Sequence, residues 1–277
     1  MGAFRIEEAD RPHLVRLLII WVILSAVGIV GVLQINYPPY DQTIQGQDQA
    51  NTLKLLTALA TPVFVGVVMM ILYSAIYFRR TTPELVDGPP MVGNTPVQVV
   101  WVTVSAILVI FLAIVGIATL SSENVAQAVA GAGAQNNELH VQVIAQQWYF
   151  TYRYADYGGV ETTHLYLPVN HPVELHVTSL DIIHSFWAYQ LGVKADANPG
   201  VDNIFHVTPQ KTGGFEVRCS ELCGLWHGHM ADSGGQVVSQ SDFDTWIAQQ
   251  QADFATIAKA VPSYAPYYFP LPLTKGS

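Results

Sequence analysis

The residues best suited to chemistry lie in one segment, 219–230, which reads CSELCGLWHGHM. It holds both cysteines of the protein, Cys219 and Cys223, together with His227 and Met230. Two thiolates, an imidazole and a thioether form a soft donor set, which favours copper over Mg²⁺ or Ca²⁺. A single blue-copper ion needs two His, one Cys and a weak axial Met, so one cysteine is left over. Two bridging thiolates instead predict a pair of copper ions that share an added electron.

A copper pair needs a second imidazole, and we expect His184, in the segment DIIHSFW, to supply it. His229, two positions after His227, is the alternative imidazole within the cysteine segment. A disulfide between the two cysteines is a further alternative in an oxidising compartment, but it leaves His227 and Met230 without a role. A zinc site is a further alternative to the copper pair, although Met is a poor zinc ligand.

Three apolar runs in the first 120 residues predict helices that span a membrane. They cover 17–35, 55–78 and 97–120, and none contains a charged residue. Each is near the roughly 20 residues that a helix needs to cross a bilayer. Arginines precede the first run, as in a signal peptide, but the run is long and no AxA site follows it. We therefore expect a retained anchor.

The positions of Lys and Arg predict the orientation of these spans. Arginines precede the first span and follow the second, whereas the loop 36–52 contains neither Lys nor Arg. Short loops rich in positive charge stay in the cytoplasm. Everything after residue 120 is therefore expected outside the cytoplasm, which in a bacterium is the periplasmic side of the plasma membrane.

Beyond residue 138 the apolar residues alternate with polar ones, in short runs broken by Pro and Gly, which is typical of a β-sandwich or barrel. Ser241 and Asp244 are expected to cap a helix near the C-terminus. The predicted organisation is listed in chain order: an N-terminal anchor or uncleaved signal helix (1–36), a transmembrane helical hairpin (53–120), a linker (121–137), a β domain (138–240), and a helix with a Pro-rich tail (241–277).

The low share of charged residues excludes a disordered, a collagenous or a purely soluble cytosolic protein. The chain has 277 residues, of which 51% are hydrophobic and 12% charged, against about 25% charged in ordinary soluble domains. The net charge of −9 disfavours binding to nucleic acid, which depends on positive charge. From residue 121 onward there are 14 acidic and 6 basic residues, so a basic partner is favoured.

These motifs closely resemble subunit II of the haem-copper oxidases, with its binuclear copper centre, CuA. The resemblance covers roughly residues 55–240. The motifs that carry it are listed here: CSELCGLWHGHM, DIIHSFW, LGVKADANPG, QQWYFTY and FRRTTPE. It implies transmembrane helices followed by an all-β, cupredoxin-like Greek-key sandwich.

The family also implies specific roles for residues of this chain. Two copper ions would be bound by residues that are listed here: His184, Cys219, Cys223, His227, Met230 and the backbone carbonyl of Glu221. The Glu221 side chain would reach a Mg²⁺ or Mn²⁺ shared with subunit I, and Trp148 would receive the electron. The implied partners are subunits I and III, membrane lipid, and cytochrome c or a membrane-bound cytochrome c domain.

The chain departs from the family pattern at some positions. The first span is additional to the usual two, and Gln98 replaces a glutamate at the mouth of a proton channel. Arg153 and Leu180 stand where acidic residues of the docking face are common. A CuA-bearing subunit of a nitric oxide reductase and a quinol oxidase subunit are the alternative functions, and the complete copper ligand set argues against the quinol oxidase. A copper-storage or assembly protein would need a labile, exposed site, whereas Phe186, Trp187 and Trp226 predict a shielded one.

Overall fold

The structure, a computed structural model, describes residues 11–35, 42–79, 93–134 and 138–258, with the helical backbone alone for 122–134 and 256–258. The Pro-rich tail predicted beyond the C-terminal helix lies outside these residues. The chain divides into two compact units. One comprises Met1–Tyr37 and Asn51–Ser121, and the other comprises Pro38–Ala50 and Ser122–Ser277.

Among the described residues, three helices are long and apolar enough to cross a membrane, as the three apolar runs predict. They are α1 (Arg11–Gln34), α2 (Ile44–Tyr77) and α3 (Thr95–Ala134). Within the first unit, the Trp21 indole on α1 donates a hydrogen bond of 2.8 Å to the carbonyl of Pro62 on α2.

The helix α3 extends through most of the segment that the sequence predicts to be a linker. Residues 121–134 are helical because the segment is rich in alanine and contains no proline to end the helix. The C-terminal helix α4 (Gln240–Ala258) begins earlier than its expected cap. Its first turn is capped by Ser239, whose hydroxyl accepts the backbone N–H of Asp242, rather than by Ser241.

The second unit contains ten strands in the described residues, arranged in two five-stranded sheets. In order, the strands are β1 (Leu139–Gln146), β2 (Tyr149–Tyr154), β3 (Val160–Thr162), β4 (Tyr166–Pro168), β5 (Val173–Ser179), β6 (His184–Ala188), β7 (Val193–Ala197), β8 (Asn203–Val207), β9 (Gly213–Cys219) and β10 (Ala231–Val238). One sheet has the order β3-β2-β1-β5-β8 and the other β4-β10-β9-β6-β7. This architecture confirms the predicted cupredoxin-like sandwich.

The alternating apolar residues of both sheets form the core of the sandwich. Val141 on β1 and Leu175 on β5 are fully buried, as are Phe186 on β6 and Val217 on β9. Successive side chains of a strand point to opposite faces, so the residues between them face outward. On the sheet that contains β1 and β5, these outward residues include His140, Glu174, His176 and His206.

A short segment before the second span also packs onto the β unit. The hydroxyl of Thr43 donates to the carbonyl of Leu191 (2.8 Å) and accepts the backbone N–H of Gly46 (2.9 Å), so it caps α2. Gly192 has φ of +67°, and a Cβ added there would lie 2.6 Å from the Cα of Gly46. Residue 192 must therefore be glycine for this contact to form.

The buried and exposed faces of the first sheet predict different mutational costs. We expect Leu175→Ala to lower the free energy of unfolding of the β unit by about 2–5 kcal/mol, because it leaves a cavity in the core. The matched control is Ile204→Ala on the neighbouring strand, where the side chain is 48% exposed. It should cost about 0.5 kcal/mol or less. Urea unfolding of the detergent-solubilised chain, followed by tryptophan fluorescence, measures both, and equal costs would contradict the assigned faces.

Candidate metal centre

Strand pairing brings three of the predicted ligands to one end of the second sheet. Strand β9 pairs antiparallel with β6, with Cys219 opposite Phe186, and with β10, where Arg218 lies opposite Ala231. The first residue of β6, the last residue of β9 and the residue before β10 therefore lie side by side. They are His184, Cys219 and Met230.

The two cysteines are free thiols whose sulfur atoms lie close together. The Sγ atoms of Cys219 and Cys223 are 3.7 Å apart, whereas a disulfide requires about 2.05 Å. Two thiolates bound about 2.3 Å from one tetrahedral metal ion lie about 3.8 Å apart. The spacing of the sulfurs therefore suits a shared metal ion.

The other predicted ligands surround this pair of sulfur atoms. Nδ1 of His184 lies 3.8 Å from Sγ of Cys219, and Nδ1 of His227 lies 3.4 Å from Sγ of Cys223. A second donor lies beside each sulfur: Sδ of Met230 is 3.7 Å from Sγ of Cys223, and the backbone carbonyl oxygen of Glu221 is 3.2 Å from Sγ of Cys219. Each sulfur thus has one imidazole and one weaker donor beside it.

The alternative imidazole, His229, lies away from the sulfur atoms. Its side chain is exposed, and its ring packs against Trp226 with a centroid distance of 5.3 Å. The geometry therefore favours His227 over His229 as the ligand in this segment.

All of the ligand side chains except the partly exposed His227 are buried, which determines what they can bind. His184 and Cys223 are fully buried and Met230 is 1% exposed. Burial, reinforced by the adjacent Cys219 thiol, raises the pKa of Cys223 to about 12. A thiolate at this position therefore needs a cation directly beside it, and a soft sulfur-rich set of this kind selects copper.

The loop that carries Cys223 and His227 depends on a glycine. Gly224 has φ of +114°, a conformation that residues with a side chain rarely adopt. A Cβ at this position would lie 3.1 Å from Nε2 of Gln147. The loop then closes through short turns, in which His227 N–H donates to the Gly224 carbonyl and Met230 N–H donates to the His227 carbonyl.

Two residues that the sequence did not single out orient the site. Oδ1 of Asp181 accepts a hydrogen bond of 2.8 Å from Nε2 of His184, and Oδ2 accepts the backbone N–H of Gln147 at 2.7 Å. Although burial raises it, the pKa of Asp181 is lowered overall by its hydrogen bonds to Gln147 and His184. With Nε2 protonated, Nδ1 of His184 presents its lone pair toward Cys219, as a metal ligand requires. The sequence feature that could have indicated this role is the position of Asp181 three residues before His184.

The side chain of Trp148 contacts the backbone of a predicted ligand. Trp148 lies partly buried in the turn between β1 and β2, and its indole N–H donates a hydrogen bond of 3.1 Å to the backbone carbonyl of Cys223. The side-chain amide of Gln147 donates to the same carbonyl at 2.9 Å. Trp148 thus connects the protein surface to a cysteine of the centre.

The rim of the centre is apolar and exposed. The residues that flank the ligands and lie 40% or more exposed are Leu180, Ile182, Ile183, Leu222, Leu225 and Trp226. Trp226, one of the aromatic residues expected to shield the site, is itself half exposed, whereas the ligands His184 and Cys223 are fully buried. Phe186 is fully buried and lies opposite Cys219 in the strand register.

Arg153 does not place a positive charge on the surface. Its side chain is 6% exposed and forms an ion pair with Glu161, while Nη1 donates 3.3 Å to the side chain of Gln142. The pairing of β2 with β3 places Arg153 opposite Glu161, so its charge is paired rather than presented alone on this face.

The chain is similar to several known proteins. A family model described as cytochrome c oxidase subunit II, periplasmic domain, matches residues 160–233. The chain is 31% identical to cytochrome c oxidase subunit 2 of Thermostichus vulcanus, over 79% of this chain and 80% of that protein. It is 25% identical to the Synechocystis sp. protein of the same name, over 95% and 92% of the two chains. A solved periplasmic domain of subunit II of cytochrome oxidase from Bradyrhizobium japonicum is 32% identical, with a TM-score of 0.41, over 43% of this chain and 97% of that one.

The hydrogen bond between Asp181 and His184 gives a first prediction for the site. Asp181→Asn keeps the size of the side chain but removes the charge that fixes the imidazole, so we expect copper affinity to fall about 10–100-fold. Competition with a copper chelator measures the affinity. The matched control is Asp196→Asn, an exposed residue of β7. Equal affinity of the Asp181 variant and the unmodified chain would show that Asp181 does not orient the ligand.

Proposed function

The chain belongs to the cytochrome c oxidase subunit II family, and from this premise we propose that it receives electrons from a cytochrome c and passes them to the haem of subunit I. The observation that carries the proposal is the paired arrangement of the buried donors. The two sulfur atoms lie 3.7 Å apart, and each has its own imidazole within 3.8 Å.

The residues present fit the binuclear copper centre that the family implies. The thiolates of Cys219 and Cys223 would bridge the ions, His184 and His227 would each bind one of them, and Met230 and the Glu221 carbonyl would complete the set. A copper pair held here supplies a relay for single electrons. Because the donors already lie close together and four of the ligand side chains are buried, little movement of the ligands needs to accompany the transfer.

Trp148 provides a short route for the electron into the centre. From its indole N–H the route crosses one hydrogen bond to the Cys223 carbonyl and then follows covalent bonds to Sγ of the same residue. Gln147 and Gly224 hold this contact in place, one by a second hydrogen bond and the other by its lack of a side chain.

The surface around the centre supports docking of partners. The exposed apolar rim favours protein contact, and the excess of acidic residues after residue 121 favours a basic cytochrome c. The exposed carboxylate of Glu221 is the proposed ligand for a Mg²⁺ or Mn²⁺ ion shared with subunit I. Subunit III and membrane lipid complete the proposed surroundings.

The helices support a location in a bacterial plasma membrane, with the β unit on the periplasmic side. Reduction of O₂ and the coupled proton pumping belong to subunit I. This chain contributes the uptake and relay of electrons, so its enzymatic role is that of a subunit of an oxidoreductase complex. The complete donor set favours a cytochrome donor over a quinol.

The copper content of the full chain tests the proposal directly. We expect two coppers per chain and an electron paramagnetic resonance spectrum in which one unpaired electron is shared by both ions. Cys219→Ser should leave one copper or none, because one bridging sulfur is lost. The matched control is the adjacent Ser220→Ala, which should retain both. A single copper with a localised spectrum in the unmodified chain would overturn the binuclear centre.

The role of Trp148 has its own test. Trp148→Phe keeps an aromatic ring but removes the N–H donor, so we expect two coppers and slower reduction by cytochrome c in the assembled oxidase. Trp187→Phe, on the outer face of β6 beside Lys194, serves as the control and should reduce at the normal rate. Stopped-flow absorbance measures both. A normal rate in Trp148→Phe would remove this residue from the electron path.

A further inference from the structure

A second cluster of metal-binding side chains lies on the first sheet, which does not contain the copper ligands. In the register of this sheet, Glu174 on β5 lies opposite His140 on β1 and His206 on β8. Glu138 immediately precedes β1. The outward faces of three adjacent strands thus bring carboxylates and imidazoles together.

The distances among three of these residues suit one metal ion. Oε1 of Glu138 lies 3.3 Å from Nδ1 of His206, and Oε2 of Glu174 lies 3.8 Å from the same nitrogen. One ligand atom from each of the three residues lies within 4.8 Å of the other two. Two ligands bound about 2.0–2.1 Å from a tetrahedral zinc ion lie about 3.3–3.4 Å apart.

Burial makes this arrangement costly without a cation. The side chain of Glu138 is 3% exposed, while those of His206 and Glu174 are 19% and 20% exposed. Oε1 of Glu138 is buried, and its neighbour within the described residues is Nδ1 of His206 at 3.3 Å, a contact without regular hydrogen-bond geometry. A carboxylate oxygen held out of water and directed at other ligand groups is the arrangement that a bound cation stabilises.

Further hydrogen bonds orient Glu174 toward the cluster. Nε2 of His176 lies 2.6 Å from Oε1 of Glu174, and Nδ1 of His176 lies 2.8 Å from Oδ2 of Asp202. Oε1 of Glu174 is therefore engaged by His176, which leaves Oε2 to face His206. Such outer partners commonly fix the ligands of metal sites.

We propose that Glu138, Glu174 and His206 bind a divalent zinc ion on the outer face of the first sheet. The imidazole favours zinc over Mg²⁺ and Ca²⁺, which take oxygen ligands, and the lack of sulfur in the set disfavours Cu(I). The ion joins the residue before β1 to β5 and β8. Its role is to stabilise the start of the β unit, since a ligand that binds only the folded state shifts the unfolding equilibrium.

Zinc binding to the copper-loaded full chain tests this site. Copper is loaded first so that the thiolates are occupied, and Zn²⁺ is then titrated against a chromophoric zinc chelator. We expect one zinc per chain, no loss of copper, and a higher unfolding temperature with zinc. Mg²⁺ at the same concentration should produce neither binding nor stabilisation. Displacement of copper by zinc, or zinc binding that Mg²⁺ matches, would overturn the proposal.

Substitutions assign the ligands. Glu138→Gln and His206→Gln should each weaken zinc binding at least about tenfold and abolish the zinc-dependent rise in unfolding temperature. His164→Gln, which removes a histidine that pairs with Asp232 on the other sheet, is the matched control and should bind zinc normally. Unchanged zinc affinity in both ligand variants would refute the site.

X-ray absorption at the zinc edge gives a measurement that does not depend on how the variants fold. In the copper-loaded unmodified chain we expect nitrogen and oxygen ligands only, with the signature of one imidazole. Sulfur at about 2.3 Å would place the zinc at Cys219 and Cys223 and contradict the proposal.

Discussion

The position of β9 between β6 and β10 is the constraint on which the metal centre depends. Backbone hydrogen bonds of this strand place Cys219 beside both His184 and Met230, which are far apart in sequence. The N–H of Cys219 donates to the carbonyl of Met230 at 2.9 Å, which closes the loop that carries the other ligands. The sheet therefore supplies the rigid frame, and the loop has only to present Cys223 and His227 to it.

Much of this arrangement could be predicted from the sequence, because its strongest signals are local. The soft donors of 219–230 lie within one segment, and the alternating strands and apolar helices have clear periods. Orientation by Asp181 and Gln147 could not be predicted, since it arises where separate loops meet. The periodicity of apolar residues also does not predict where a helix ends, so the continuation of α3 and the cap at Ser239 could not be predicted from it. The packing of Thr43 against Leu191 is a tertiary contact, which periodicity does not predict either.

The two sheets of the β unit carry donors of different chemical character. At the end of one sheet, sulfur atoms lie in a buried pocket above Phe186. On the outer face of the other, oxygen and imidazole donors from adjacent strands meet around Glu174. Strand alternation places the two sets differently. His184 and Cys219 continue the inward-facing, buried register of β6 and β9, so the sulfur donors lie at the end of the core, whereas the donors around Glu174 lie on an outward face.

The carbonyl of Cys223 accepts hydrogen bonds from the side chains of both Gln147 and Trp148. Two donors on one carbonyl draw electron density from the peptide next to the ligand sulfur. In the electron path that we propose, the indole ring would therefore affect both how fast an electron reaches the centre and the reduction potential that draws it there. A substitution at position 148 would then change both quantities together.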